Sequence, residues 1–312
     1  MKHSESLYDA LTKDEDLQLP PKLDIAKLAA KEGSLSSKQD TLQKLVEEKT
    51  NAWMPRVASS DEKEESNAIQ KRNEQTLQLA QEVELDLDAL DKILNLKREG
   101  QKLYAQKMYV EALGRFEEAL QVLPGDLEIM YYHALCCFQL KNYRRALMEF
   151  REIDKLDKGT TLPNLEKLIS LSLVRLNQLK EAEEYLKEVL KHKKRDNQLM
   201  NILVYVLERQ DKLEEAKTYA RKILESEPEN PNANNSLAWI LYRQNGNLTD
   251  ALNYVRQALL VEQNNPAYLD TLAMIYLKLN KQDLAVETLK KALALAPGNE
   301  EILTHISKLL AV

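Results

Sequence analysis

Four histidines, two cysteines and a large set of carboxylates are the side chains of this sequence that could do chemistry. His3, His133, His192 and His305 lie far apart along the chain, and none belongs to an H-x-x-x-H or C-x-x-C unit of the kind that holds a metal. Cys136 and Cys137 are adjacent. Neighbours in a helix point about 100° apart, so a bridge between them is geometrically poor. Both are expected to be free, buried thiols, which favours a reducing compartment. Only 7 glycines are present and none forms a phosphate-cradling loop; a G-x-S-x-G nucleophile turn is also missing. The carboxylates read as solvated helix-surface charges. The expectation is therefore no catalytic residue, no metal, no cofactor and no enzyme.

The elements that would position these side chains are helices. Of the 312 residues, 44% are apolar and 30% charged, the balance of a folded, water-facing chain. Leu, Ala, Glu, Lys and Gln dominate, and straight-chain side chains of this kind lose little rotamer freedom in a helix. No run alternates β-branched and polar residues between turn signals, so no sheet is expected. Net charge is −6 and uneven: residues 1–92 hold 20 Asp/Glu against 13 Lys/Arg, whereas 93–312 hold 30 against 31. Such a chain offers no broad footprint for nucleic acid. The opening MKHSESLYDALTKDEDL lacks an apolar core and no later run is long enough to cross a bilayer, so no membrane insertion and a cytoplasmic location are expected.

A repeat organises the second part. The segments EALGRFEEALQVLPGD, RALMEFREIDKLDKG, EAEEYLKEVLKHKKRD, EAKTYARKILESEPEN, DALNYVRQALLVEQNN and LAVETLKKALALAPGN share a central Ala. These are Ala112, Ala146, Ala182, Ala216, Ala251 and Ala285, separated by 34, 36, 34, 35 and 34 residues. Within 93–126 the pattern runs Leu96, Gly100, Leu103, Ala112, Phe116, Ala119, Pro124. Within 266–299 it runs Leu269, Leu272, Ala273, Tyr276, Ala285, Leu289, Ala292, Pro297. The first-helix residues fall at i, i+3, i+4 and i+7, one helix face. Small residues let two helices approach, and Pro ends the second.

This pattern and period resemble the tetratricopeptide-repeat family. The resemblance implies an all-α fold, a right-handed solenoid of about six helix hairpins. The expected repeats are 93–126, 127–160, 163–196, 197–230, 231–265 and 266–299, with a cap at 300–312. The domain reading is an acidic N-terminal extension over 1–72 and a solenoid over 73–312. The repeats 127–160, 163–196 and 197–230 are weaker, with Ile153, Val189, Val204 and Ile223 at positions that favour small residues, and 231–265 has one extra residue in its Asn245-Gly246-Asn247 turn. The last two repeats and the cap look most like bacterial members. His133 and Cys137 fall at core positions of their repeat and read as packing.

In the extension, a helix opened by Pro20-Pro21 is expected through Ala30 and another over 38–52, stopped by Met54-Pro55. The charged stretch 59–67 reads as a mobile linker. A helical spacing through Leu77, Ala80, Val83, Leu87, Leu90 and Leu94 runs toward the first repeat.

The resemblance further implies a concave face lined by first-helix positions 2, 5, 9, 12 and 13. Here these include Lys97, Tyr104, Tyr131, Phe138, Arg175, Asn201, Tyr205, Arg209, Asn235, Trp239, Tyr242, Arg243 and Lys278. Aromatics and Arg dominate binding hot spots, and Arg175, Arg209, Arg243 and Lys278 form a recurring positive position. The clamp that some members use for chaperone tails does not fit: Gln101, Tyr132 and Leu168 replace its residues. The implied function is a non-catalytic scaffold or adaptor holding a protein or peptide partner. The alternatives are a dedicated chaperone for a secreted or membrane-targeted protein, and a regulatory subunit of an enzyme complex.

Overall fold

The computed structural model describes residues 87–156 and 164–310, together with Gln78 and Leu162. The helices expected at 21–30 and 38–52, the linker at 59–67 and most of the lead-in from Asn73 lie outside the described residues. Those residues contain thirteen α-helices and no strand. They are α1 (Leu87–Ala105), α2 (Tyr109–Val122), α3 (Leu127–Gln139), α4 (Tyr143–Leu156), α5 (Leu165–Arg175), α6 (Leu179–His192) and α7 (Asn197–Arg209). There follow α8 (Leu213–Ser226), α9 (Pro231–Arg243), α10 (Leu248–Val261), α11 (Pro266–Lys278), α12 (Gln282–Leu295) and α13 (Glu300–Leu310). This is the all-α helix-hairpin solenoid class expected from the repeat.

The two helices of each hairpin are joined by one recurring device. Lys107, Lys141, Asn177, Asp211, Asn245 and Asn280 all have φ between 52° and 63°. The residue after each donates its backbone N–H five residues back: Met108 to Leu103, Asn142 to Cys137, Gln178 to Leu173, Lys212 to Leu207, Gly246 to Leu241 and Lys281 to Tyr276, all at 2.8–3.0 Å. A left-handed residue with this long return bond is the Schellman stop, which satisfies carbonyls orphaned at a helix end. Lys at this site is strained by its Cβ, so the repeat imposes the conformation on residue types that do not prefer it.

Helix starts are capped unequally. Asp126, Asp196, Asn230, Asn265 and Asn299 each accept a backbone N–H with the side chain at the start of α3, α7, α9, α11 and α13. Among second helices α2, α6, α8 and α12 have no side-chain cap. The extra residue of the fifth hairpin changes this for α10. Gly246 takes the return-bond position, and Asn247 becomes a cap that accepts from Thr249 and Asp250.

The described residues fall into two compact units, one ending at Ser172 and one beginning at Leu173. In the first, Ala112 and Ala146 are fully buried beside Phe116, Ala119, Phe150 and Ile153. In the second, Ala182, Ala216, Ala251 and Ala285 are likewise fully buried. The absence of side-chain bulk at these points lets the helices close. Its last layer is Leu269, Ala273, Leu289, Ala292 and Ile302, with Ile306 and Leu309 of α13 packed against it. The apolar side of α13 thus packs onto this layer.

Candidate binding surface

In the unit beginning at Leu173, the first helices α7, α9 and α11 place chemically similar residues at equivalent positions. Asn201, Asn235 and Asp270 sit one turn inside their helices and are buried. Asn201 Nδ2 donates to Asn230 Oδ1 at 3.3 Å. One turn further along come Tyr205 and Trp239, also buried. At the C-terminal ends the cations sit over rings: Arg209 over Tyr205 at 5.9 Å, Arg243 over Trp239 at 5.9 Å and Lys278 over Tyr242 at 4.5 Å. Trp239 and Tyr242 stack, with centroids 5.1 Å apart and planes 27° apart. Further partners fix each cation: Arg209 donates to the Tyr205 hydroxyl at 2.8 Å, Arg243 to Asp211 at 2.9 Å and Lys278 to the Tyr242 carbonyl at 2.5 Å. A Lys or Arg there also opposes the negative end of the helix dipole. The cations thus recur once per hairpin, Arg209 and Arg243 over rings of their own helices and Lys278 over Tyr242 of the preceding first helix, α9. Arg175 occupies the last turn of α5.

The expected residues of the other unit are differently placed. Lys97 is buried, with its amine 2.6 Å from Glu128 and 3.7 Å from Asp126. It ties α1 to the start of α3. Tyr104 packs on Tyr109 and Tyr132 at 5.4 and 5.9 Å. Tyr131 contacts Tyr132 and Phe150, and Phe138 meets Tyr143 edge-on at 5.3 Å. Tyr104, Tyr109, Tyr131 and Phe150 form an internal ring cluster around Phe116 and Tyr132, which stack at 5.6 Å, while Phe138 and Tyr143 make a separate pair.

Two polar clusters were not read as units from the sequence. Near the chain's end, His305 Nδ1 lies 2.8 and 3.0 Å from the two oxygens of Asp270, joining α13 to α11. Glu301 stands beside them, its carboxyl pushed up to about 8 by burial and then by the charge of Asp270. Asp270 was identifiable as the counterpart of Asn201 and Asn235. In the first unit His133, Cys137 and Glu149 converge; the first two are buried and Glu149 is partly buried. The reading of His133 and Cys137 as core packing holds for their burial, but α4 adds a carboxylate. The i, i+4 spacing of His133 and Cys137 was the signal available. In each cluster the potential ligand atoms lie within 4.8 Å of one another. Both cysteines are free and buried.

A hairpin array with period near 34, buried alanines and this surface defines a class of protein. The chain belongs to the tetratricopeptide-repeat family. A family model described as anaphase-promoting complex, cyclosome, subunit 3 matches residues 103–189 and again 209–292, more than half of the chain. A model described as tetratricopeptide repeat matches 168–231. No curated protein sequence matches the chain. Among solved structures, PilF of Pseudomonas aeruginosa is similar at TM-score 0.55 and 16% identity, covering 71% of this chain and 99% of that one. PilW, a type IV pilus biogenesis factor, is similar at TM-score 0.55 and 20% identity, covering 71% and 100%. A chain of the Cut9–Hcn1 hetero-tetramer gives TM-score 0.60 at 16% identity, covering 88% of this chain and 55% of that one. At these identities the likeness shows the fold alone. Among the described residues no helix is long and apolar enough to cross a membrane.

Proposed function

We propose that this chain is a non-catalytic protein-interaction scaffold, working in the cytoplasm, whose first-helix face on α7, α9 and α11 takes an extended segment of another protein. The observation that carries the reading is the row of cations on three successive first helices, each set over an aromatic ring of α7 or α9. Aromatics with Arg are the groups that dominate interface energetics, and a repeat spacing suits a ligand that itself repeats. Arg209, Arg243 and Lys278 suit carboxylates, while Asn201 and Asn235 suit peptide amides. The Arg243–Asp211 pair is exposed enough to exchange for a ligand carboxylate at little cost, because exposed pairs contribute about 0–1 kcal/mol. The pair of buried, unbridged thiols supports a reducing compartment.

The test is quantitative co-purification from cells of the source organism, comparing the native chain with Tyr242→Ala and Arg243→Ala, the more exposed members of the face. A hot-spot side chain contributes about 2 kcal/mol or more, so each change should weaken capture of a true partner roughly 30-fold. An unchanged partner set with unchanged recovery would remove this face from the function.

A further inference from the structure

The convergence of His133, Cys137 and Glu149 goes beyond packing. His133 and Cys137 lie four residues apart on α3, one above the other on the same helix face. Glu149 comes from α4, the second helix of the same hairpin, and its Oε2 is 2.6 Å from His133 Nδ1. Arg145 holds the other carboxylate oxygen, Oε1, at 3.1 Å. Its Nη2 is also 3.1 Å from His133 Nε2. A guanidinium only donates, so Nε2 is the acceptor there, and the imidazole proton sits on Nδ1 and is donated to Glu149. On the Nε2 side Glu117 of α2 stands 3.6 Å away, itself 3.2 Å from Arg145. The imidazole is therefore bracketed by two carboxylates, one on each nitrogen.

We propose that His133 Nδ1, Cys137 Sγ and Glu149 Oε2 form a three-ligand site for zinc(II) or a similar borderline divalent transition metal, clamping α3 to α4. One nitrogen, one sulfur and one carboxylate oxygen are the donors such ions take, and a fourth position is left for water or a ligand. Tetrahedral bonds of ordinary length set the nitrogen and oxygen about 3.3 Å apart. The 2.6 Å contact must therefore open by well under one bond length, as the metal replaces the shared proton. Nδ1 gives up its proton and Nε2 takes one; Arg145 Nη2, which cannot accept, must then swing off Nε2 and leave it to donate to Glu117, the outer hydrogen bond usual for a metal-bound imidazole. The Cys137 thiol loses one proton to solvent. A dication with one thiolate and one carboxylate is neutral, while Arg145 remains balanced by Glu117. Without metal, burial and then the charge of Glu149 push the Cys137 thiol up to about 11, so the thiol stays protonated.

The test uses the full chain, reduced and freed of metal, titrated with Co2+ and then with Zn2+. The expected result is thiolate-to-cobalt charge-transfer absorption that saturates at one equivalent and is displaced by one equivalent of Zn2+. The band should persist in Cys136→Ser, vanish in Cys137→Ser and require at least tenfold more Co2+ in Glu149→Gln. The Asp270–Glu301–His305 cluster has no thiol, so metal held there gives no such band. No thiolate band in the native chain, or a full band in Cys137→Ser, overturns the proposal. The native chain also gives a readout independent of any variant's folding. Zn2+ should slow alkylation of Cys137 at least tenfold, and a rate unmoved by Zn2+ overturns the site equally.

Discussion

Gly100 and Gly114 make a matched pair of substitutions with opposite expected signs. A Cβ added at Gly100 would lie 2.6 Å from Cε1 and Cζ of Phe116 and 3.1 Å from Cδ1. Carbon atoms settle about 3.5–4.0 Å apart, so the ring must retreat by about 1 Å. Phe116 has nowhere easy to go: it is fully buried and stacked on Tyr132 at 5.6 Å. Overpacking of this kind costs about 1–3 kcal/mol, against a helix-propensity gain of up to about 1 kcal/mol for replacing Gly. Gly100→Ala should therefore destabilise its hairpin by up to about 2 kcal/mol. At Gly114, on α2, an added Cβ meets nothing within 4 Å. Gly114→Ala keeps only the gain and should stabilise by up to about 1 kcal/mol. Repeat arrays do not always unfold as one unit, so the assay is native-state hydrogen exchange read on α1–α4, with urea unfolding beside it. If Gly100→Ala protects these helices as much as Gly114→Ala, the close helix approach at Gly100 is wrong.

Three further outcomes follow from the charges. Burial pushes the Glu208 carboxyl up to about 8, against the lowering influence of Ser236 and Arg243. Its folded-state value is above its unfolded one, so stability falls as pH rises from about 4.5 to about 8. Glu208→Gln should raise Tm at pH 8 and make little difference near pH 4.5, as measured by calorimetry. Glu183 is the reverse case: burial raises it, but hydrogen bonds from Lys187, Lys212 and Gln210 hold it at about 2. Lys212 and Gln210 reach it at 2.6 and 2.7 Å from the turn after α7, so Glu183 pins one hairpin to the next. Glu183→Ala should cost about 1–2 kcal/mol at pH 7, discounted for its half-exposed lysines. That difference should shrink as pH falls from about 4.5 through about 2. Residues 1–60 hold 10 acids against 9 bases, whereas 61–92 hold 10 against 4, so a competition of the acidic segment with partners for the cationic ladder would rest on the second stretch. Replacing the acids of 61–74 with Asn and Gln should then tighten partner binding, by a margin that narrows as added salt screens the attraction; equal affinities at both salts would end the idea.

The hairpin architecture was legible because it is periodic. Six alanines in register specify where helices touch, and all six are fully buried. The turn residues were less so. Lys107 and Lys141 are not residue types that announce a left-handed conformation, and only the phase of the repeat forces them into it. The binding stripe was readable as residue types on one face, but not in its pairings. Lys97 looks like a groove cation until α3 brings Asp126 and Glu128 to it. Arg243 looks unopposed until the preceding hairpin supplies Asp211, 32 residues earlier. His133 and Cys137 share a helix face in the sequence, yet Glu149 joins them only when the hairpin closes. Contacts between elements depend on crossing geometry, which side-chain spacing within one helix does not encode.

If the first helices of successive hairpins form the partner surface, hydrogen exchange of the full chain with and without a captured partner should show it. Partner binding is expected to slow exchange in α7, α9 and α11, around Tyr205, Trp239 and Tyr242, and to leave α8, α10 and α12 nearly unchanged. Protection confined to the second helices, or a bound partner that protects none of these six, would contradict it.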